Sequence, residues 1–343
     1  MAAAGTAFAQ STATISGSIS VGVGNSGADG AKTGVVHLGN GMNAINIGTR
    51  EDLGGGLRGG FDSQIRFNAQ TGDVNAAGNG NALFHSINTF ISGGFGTARV
   101  GKIVEAGTCG MDPWACGGGA GLQAGVGVSA LTGATAVSNA VSYTTPTISG
   151  FSAGFLTSLT GPTERINERE VLNVNYANGP LQLTFIDIKG SANTITNAPF
   201  GSAITTIAAN PTAASASAAN IGDTATKNQA IGASYDFGVA RLMLVNSVSK
   251  SATGVKTADI TSIGATVPMG AYTILAGYNK AKTGTGYTAT EKNDTKIAVG
   301  VNYALSKRTT LGADVFKAEG LAAVNGSTGD SGTGFGIRAR HTF

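Results

Sequence analysis

Three sets of residues have types and spacings that could do chemistry. Cys109 and Cys116, with six residues between them in a glycine-rich stretch, form either a disulfide or two free thiols. An oxidising compartment favours the bond, and cross-linking so short a loop stabilises it by roughly 2–3 kcal/mol. Zinc is set aside, because a structural site needs about four ligands and none of the histidines, His37, His85 and His341, lies nearby. The glycines of GGGLRGG from Gly54 have a spacing seen in phosphate-binding loops, but they fall at a turn between strand-like segments with no helix after them. H-E-x-x-H, G-x-S-x-G and P-loop patterns are absent, so the sequence points to no enzyme and asks for no cofactor or metal. The third set is ionic and polar: Arg50, Asp62, Gln64, Arg66, Lys102, Glu105 and Asp112. Such groups, brought to one water-facing surface, attract or repel passing solutes rather than transform them.

The elements that must carry these residues are strands. Beyond residue 11 the dominant pattern is period two, which puts successive side chains on opposite faces. In 13 to 23, Ala13, Ile15, Ile19, Val21 and Val23 oppose Thr14, Ser16, Ser18 and Ser20. In 296 to 303, Ile297, Val299, Val301 and Tyr303 oppose Lys296, Ala298, Gly300 and Asn302. The end of the chain repeats this, with Phe335, Ile337, Ala339, His341 and Phe343 opposing Gly336, Arg338, Arg340 and Thr342.

Composition narrows what such strands can build. Of 343 residues, 54 are Gly and 12% are charged, about half the charge of a typical soluble domain. A net charge of +3 without a concentrated basic face gives no footing for nucleic acid. Gly, Ser, Thr and Asn interrupt every apolar run well before the ~20 residues a membrane-spanning helix requires. Short turns such as EDLGGG from Glu51, Asn178-Gly179-Pro180 and LSKRT from Leu305 alternate with long polar loops at 25–34, 70–81, 103–138, 191–226, 283–293 and 320–331. Short connections at one end and long ones at the other describe a transmembrane barrel with an apolar outside and a water-facing inside. Sixteen strands of roughly eleven residues, with short turns and loops averaging about 17, use up a chain of this length. The predicted fold class is therefore all-β, a sixteen-stranded antiparallel transmembrane β-barrel, as a single domain over 10–343. Residues 1–9 end in Ala7-Phe8-Ala9, an A-x-A-like cleavage site, and are expected to be the residual tail of a signal peptide.

Specific stretches carry a resemblance. TREDLGGGLRGGFDSQIRF from Thr49, GGFGTARVGK from Gly93, NAVSYTTPTISGFSAGF from Asn139, YANGPLQL from Tyr176, GASYDFGVARL from Gly232, YALSKRTTLGADVF from Tyr303 and GFGIRARHTF from Gly334 resemble the general diffusion porins of Gram-negative outer membranes, of the β-proteobacterial type. The resemblance covers nearly all of 12–343. It implies an integral outer-membrane homotrimer in contact with lipid and lipopolysaccharide, with the third external loop folded inward as a constriction. Family members often carry basic residues at the positions matching Ala44, Gly48 and Lys102, of which this chain keeps Lys102. The Pro-Glu-Phe-Gly-Gly loop motif of many porins is replaced by CGMDPWACGGG from Cys109. The terminal Phe343 matches the family's assembly signal.

Selectivity then has to be read from this chain's own residues. The constriction loop, 103–138, contains Glu105 and Asp112 as its acids and no Lys or Arg. Outward Phe61, Ile65 and Phe67 imply inward Asp62, Gln64 and Arg66, and Ile45 and Ile47 imply inward Arg50. Arg50, Arg66 and Lys102 facing few acids predict passive diffusion of ions and small hydrophilic solutes with a weak preference for anions. Two other readings stand beside it. Trp114, Leu122, Val126, Val128 and Leu131 in the loop suit a channel that prefers small organic or aromatic acids. A surface adhesin or structural β-protein would show a repeat of fixed period, which is not found.

Overall fold

The computed structural model describes residues 12–25, 32–37, 43–69, 71–74, 83–107, 111, 113–114, 136–159, 169–190, 225–251, 253–283, 292–319 and 332–343. Among them run seventeen strands. The first six are β1 (Thr12–Asn25), β2 (Gly34–His37), β3 (Ala44–Gly54), β4 (Leu57–Arg66), β5 (Ser86–Gly93) and β6 (Gly96–Val104). Then come β7 (Ala136–Thr144), β8 (Phe151–Ser158), β9 (Arg169–Asn178), β10 (Leu181–Gly190), β11 (Ala225–Asp236) and β12 (Arg241–Ser251). The last are β13 (Lys256–Met269), β14 (Tyr272–Thr283), β15 (Lys292–Ala304), β16 (Thr309–Glu319) and β17 (Gly332–Thr342).

From β3 onward each strand pairs antiparallel with its successor, and β17 returns to β1 with Ser18 opposite Thr342 and Asn25 opposite Phe335. β1 meets β3 over Thr12–Ser18 and β2 over Val21–Gly24, so β2 and β3 share one place in the ring. The result is a closed sixteen-stranded barrel. Where β2 and β3 part, the Asn43 side chain stands in for the missing rung: its Oδ1 accepts from Ser20 N at 2.5 Å and its Nδ2 donates to Ser20 O at 3.1 Å. Closure matters physically because hydrocarbon offers backbone groups no partners, and a ring of strands leaves no open edge.

Period two sets the two faces. Ile15, Ile231 and Ile337 on the outward rows are 69%, 64% and 62% exposed, as expected of side chains whose solvent is lipid. Tight turns at one end use glycines in the left-handed region, with φ of 81°, 62° and 82° at Gly54, Gly55 and Gly56. That end is the periplasmic one, since short turns lie there in such barrels.

The inner face departs from the uniform polar lining that alternation suggests. Ile103, Leu156, Val171, Ile186 and Ile188 all face inward and form a buried apolar cluster across β6–β10, against which Ala106 packs. A bulge near it breaks step between β6 and β7 at Gly101/Ile103, with Asn139 at φ 48°.

The loop that follows β6 enters the lumen. Met111 and Trp114 are 6% and 2% exposed, and Trp114 packs with inward-facing Leu275, Ala298 and Phe316 on β14, β15 and β16. Cys109, Asp112, Cys116, residues 1–9 and the loop residues Leu122, Val126, Val128 and Leu131 lie outside the described residues.

Candidate functional site

On β3 to β6 the inward side chains form an ionic cluster. Asp62 accepts from Arg50 at 2.6 Å and from Arg99 at 2.7 Å, so one carboxylate is shared by two guanidinium groups. Both arginines also lie over the Phe90 ring, at 4.5 and 5.1 Å from its centroid, which fixes planar cations against an apolar wall. Gln64 Nε2 donates to Asn46 Oδ1 at 2.9 Å, and its Oε1 accepts from Arg66 Nε at 2.6 Å, continuing the polar row up β4. Between these groups is a recess of about 310 Å³ lined by Thr14, Ser16, Asn46, Arg50, Asp62 and Gln64 among others.

A second cluster sits on β15–β17. Arg338 is buried and pairs with Asp314, while its Nη2 donates to Asn302 Oδ1 at 2.8 Å. Lys296 lies 4.5 Å from the centroid of the Phe316 ring. Gly312 makes room for the arginine, since a methyl group there would collide with the guanidinium. With Arg340 on the same inward row, Lys296 and Arg338 join Arg50, Arg66 and Arg99 to form a basic arc running from β15 across β1 to β6. Among the described side chains on this arc between the turns and the outer rim, Asp62 and Asp314 oppose six bases.

Two residues expected at the constriction are placed differently. Lys102 is out of step with Arg99: its register partner is Ile87, on the outward row, and its ammonium donates to Phe84 O at 3.3 Å. Glu105 is inside, but it is no free acid. Arg169 grips it in a two-pronged pair, Nε to Oε2 at 2.8 Å and Nη2 to Oε1 at 2.7 Å, with both side chains almost fully buried. A spacing argument within one loop cannot see a partner 64 residues away on β9. Arg99, Arg338, Asp314 and Lys296 were missed as site residues, although alternation alone puts Lys296 and Arg338 on the polar face.

A model of the Gram-negative porin family matches residues 1–320. The chain belongs to that family. Over 392 aligned residues it is 28% identical to outer membrane porin protein 32 of Delftia acidovorans, covering 100% of this chain and 97% of that protein. Among solved structures, the anion-selective porin of Comamonas acidovorans superposes with a TM-score of 0.70 at 23% identity, over 97% of this chain and 100% of that one. OmpT of Vibrio cholerae superposes at 0.66 and 14% identity, over 97% and 98%. At these identities the structural likenesses speak for the barrel alone. This porin is thus an integral outer-membrane channel for passive diffusion, and no enzyme. Its water-filled path is bounded by a basic arc, an apolar arc on β6–β11, and the wall on which the inserted loop rests.

Proposed function

We propose that this porin passes ions and small hydrophilic solutes with a weak preference for anions, and the basic arc is the observation that carries the reading. Arg50, Arg66, Arg99, Lys296, Arg338 and Arg340 make the local potential positive, while Asp62 and Asp314 offset part of it. Glu105 is neutralised by Arg169 and adds no cation-attracting charge. The anion selectivity in the name of the Comamonas acidovorans protein agrees with this. Reversal potentials across a potassium chloride gradient in a planar bilayer test it. A potential of the sign set by chloride is expected, and one of the sign set by potassium overturns the reading.

The resemblance supports a homotrimer in contact with lipopolysaccharide, tested by current steps arriving in groups of three. Phe343 serves as the assembly signal in this account. Cys109 and Cys116 form a disulfide that braces the inserted loop, tested by the mass gained on alkylation with and without prior reduction. Residues 1–9 are the tail of the export signal and 10–343 the barrel domain, which N-terminal sequencing of the outer-membrane protein checks. A channel preferring aromatic acids is the second reading, although Trp114 is packed against Leu275, Ala298 and Phe316 rather than facing solutes; liposome swelling that follows solute size alone removes it.

A further inference from the structure

The inserted loop meets the opposite wall at three inward-facing glycines on alternate strands, Gly232 on β11, Gly264 on β13 and Gly300 on β15. The three contacts are unequal. A methyl group on Gly300 would stand 3.5 Å from Trp114 Nε1, an ordinary contact, and one on Gly232 would stand 3.0 Å from Met111 Cγ, the middle of a flexible side chain. A methyl group on Gly264 would stand 2.5 Å from Pro113 Cδ and 2.7 Å from its Cγ. Those atoms belong to a closed ring on a fixed φ and cannot rotate aside. The neighbouring Trp114 is tied to the wall through Leu275, Ala298 and Phe316.

We propose that Gly264 is a positioning residue for the channel: the missing side chain lets Pro113 lie flat on β13 and so sets how far the loop stands into the bore. This rests on the lumen being the ion path. Carbon atoms pack at about 3.5–4.0 Å, so alanine at 264 moves Pro113 toward the channel axis by about 1 Å. A shift of that size at a constriction narrows the path, and it pulls on Trp114, the chain's single tryptophan.

The experiment compares wild type, Gly264→Ala, Pro113→Phe and the double substitution Gly264→Ala with Pro113→Ala, each purified as folded barrel. Single-channel conductance and Trp114 emission are both recorded. Gly264→Ala and Pro113→Phe are expected to lower conductance, shift emission to the red and make it easier to quench, while the double substitution returns both toward wild type. Pro113→Phe leaves the wall strand intact, which separates lifting of the loop from damage to β13. Unchanged conductance and emission in both single variants overturns the proposal, as does failure of Pro113→Ala to restore them. A wild type that never conducts removes the channel reading instead, and the emission shifts still decide whether Gly264 seats the loop.

Discussion

Phe343 and Gly17 exchange both of their backbone hydrogen bonds, each at 3.0 Å, at the seam where the last strand meets the first. The ring covers the glycine: a methyl group on Gly17 would lie 2.7 Å from Phe343 Cζ. Deleting Phe343 removes two hydrogen bonds worth roughly 1–3 kcal/mol together, plus the ring contact. Phe343→Leu keeps the backbone bonds and loses less. The temperature at which the barrel loses its compact gel mobility in detergent should therefore fall more for the deletion than for Phe343→Leu. Equal losses for deletion and leucine would show that the backbone seam contributes nothing.

The shared carboxylate leads to a prediction about selectivity. Asp62→Asn leaves an amide that still accepts a hydrogen bond and removes the charge that offsets Arg50 and Arg99. Both arginine side chains are partly exposed, at 48% and 32%, so water screens them and folding is little affected. Unit charges about 8 Å apart in water interact by roughly 0.5 kcal/mol, in opposite senses for chloride and potassium, so before salt screening the chloride-to-potassium permeability ratio should rise about fivefold. Arg99→Gln should lower it. Reversal potentials measure both, and movement in the opposite sense would place the ion path away from this cluster.

Screening offers an independent check. The Debye length is about 10 Å at 0.1 M salt and about 3 Å at 1 M. A preference created by the basic arc acts across water on ions near the channel axis, so it should shrink as the mean salt concentration rises over that range at a fixed gradient ratio. A permeability ratio independent of salt would assign selectivity to pore width rather than to charge.

The alternation of Phe335, Ile337 and Ala339 against Arg338 and Arg340 was legible because it depends on neighbours in one strand, and both faces stand in the barrel as that pattern requires. The same arithmetic placed Asp62, Gln64 and Arg66 on one face. It failed where the fold is decided across strands. Lys102 is a different case: its place at the constriction rested on its position before the loop and on the resemblance, while alternation from outward Val100 already puts it on the outward row, opposite Ile87. In Leu181-Gln182-Leu183-Thr184-Phe185-Ile186 the outward face is apolar and the inward one starts with Gln182 and Thr184, yet the inward Ile186 is fully buried in the inner apolar arc, an arrangement a lipid-outside, water-inside rule does not foresee. Asp314 and Arg338 lie on adjacent strands joined by a long loop, so their pairing is a matter of register rather than of spacing in the chain.

Glu105 and Arg169 give the sharpest separation between a structural and a selective role. Both are buried, and removing one partner of such a pair leaves the other charge uncompensated, at a cost of about 3–5 kcal/mol. Glu105→Gln should therefore lower the denaturant midpoint of the barrel markedly. Replacing the pair together, Glu105→Leu with Arg169→Met, removes both charges from the interior and should recover most of the loss, because apolar side chains of similar volume suit the adjoining cluster of Ile103, Leu156 and Val171. If Glu105 acted as an acid of the constriction, the double substitution would still shift the reversal potential toward chloride. The pairing with Arg169 predicts that it does not: stability responds to Glu105 alone, selectivity to neither residue once both are gone, and a chloride-ward shift in the double variant would return Glu105 to the ion path.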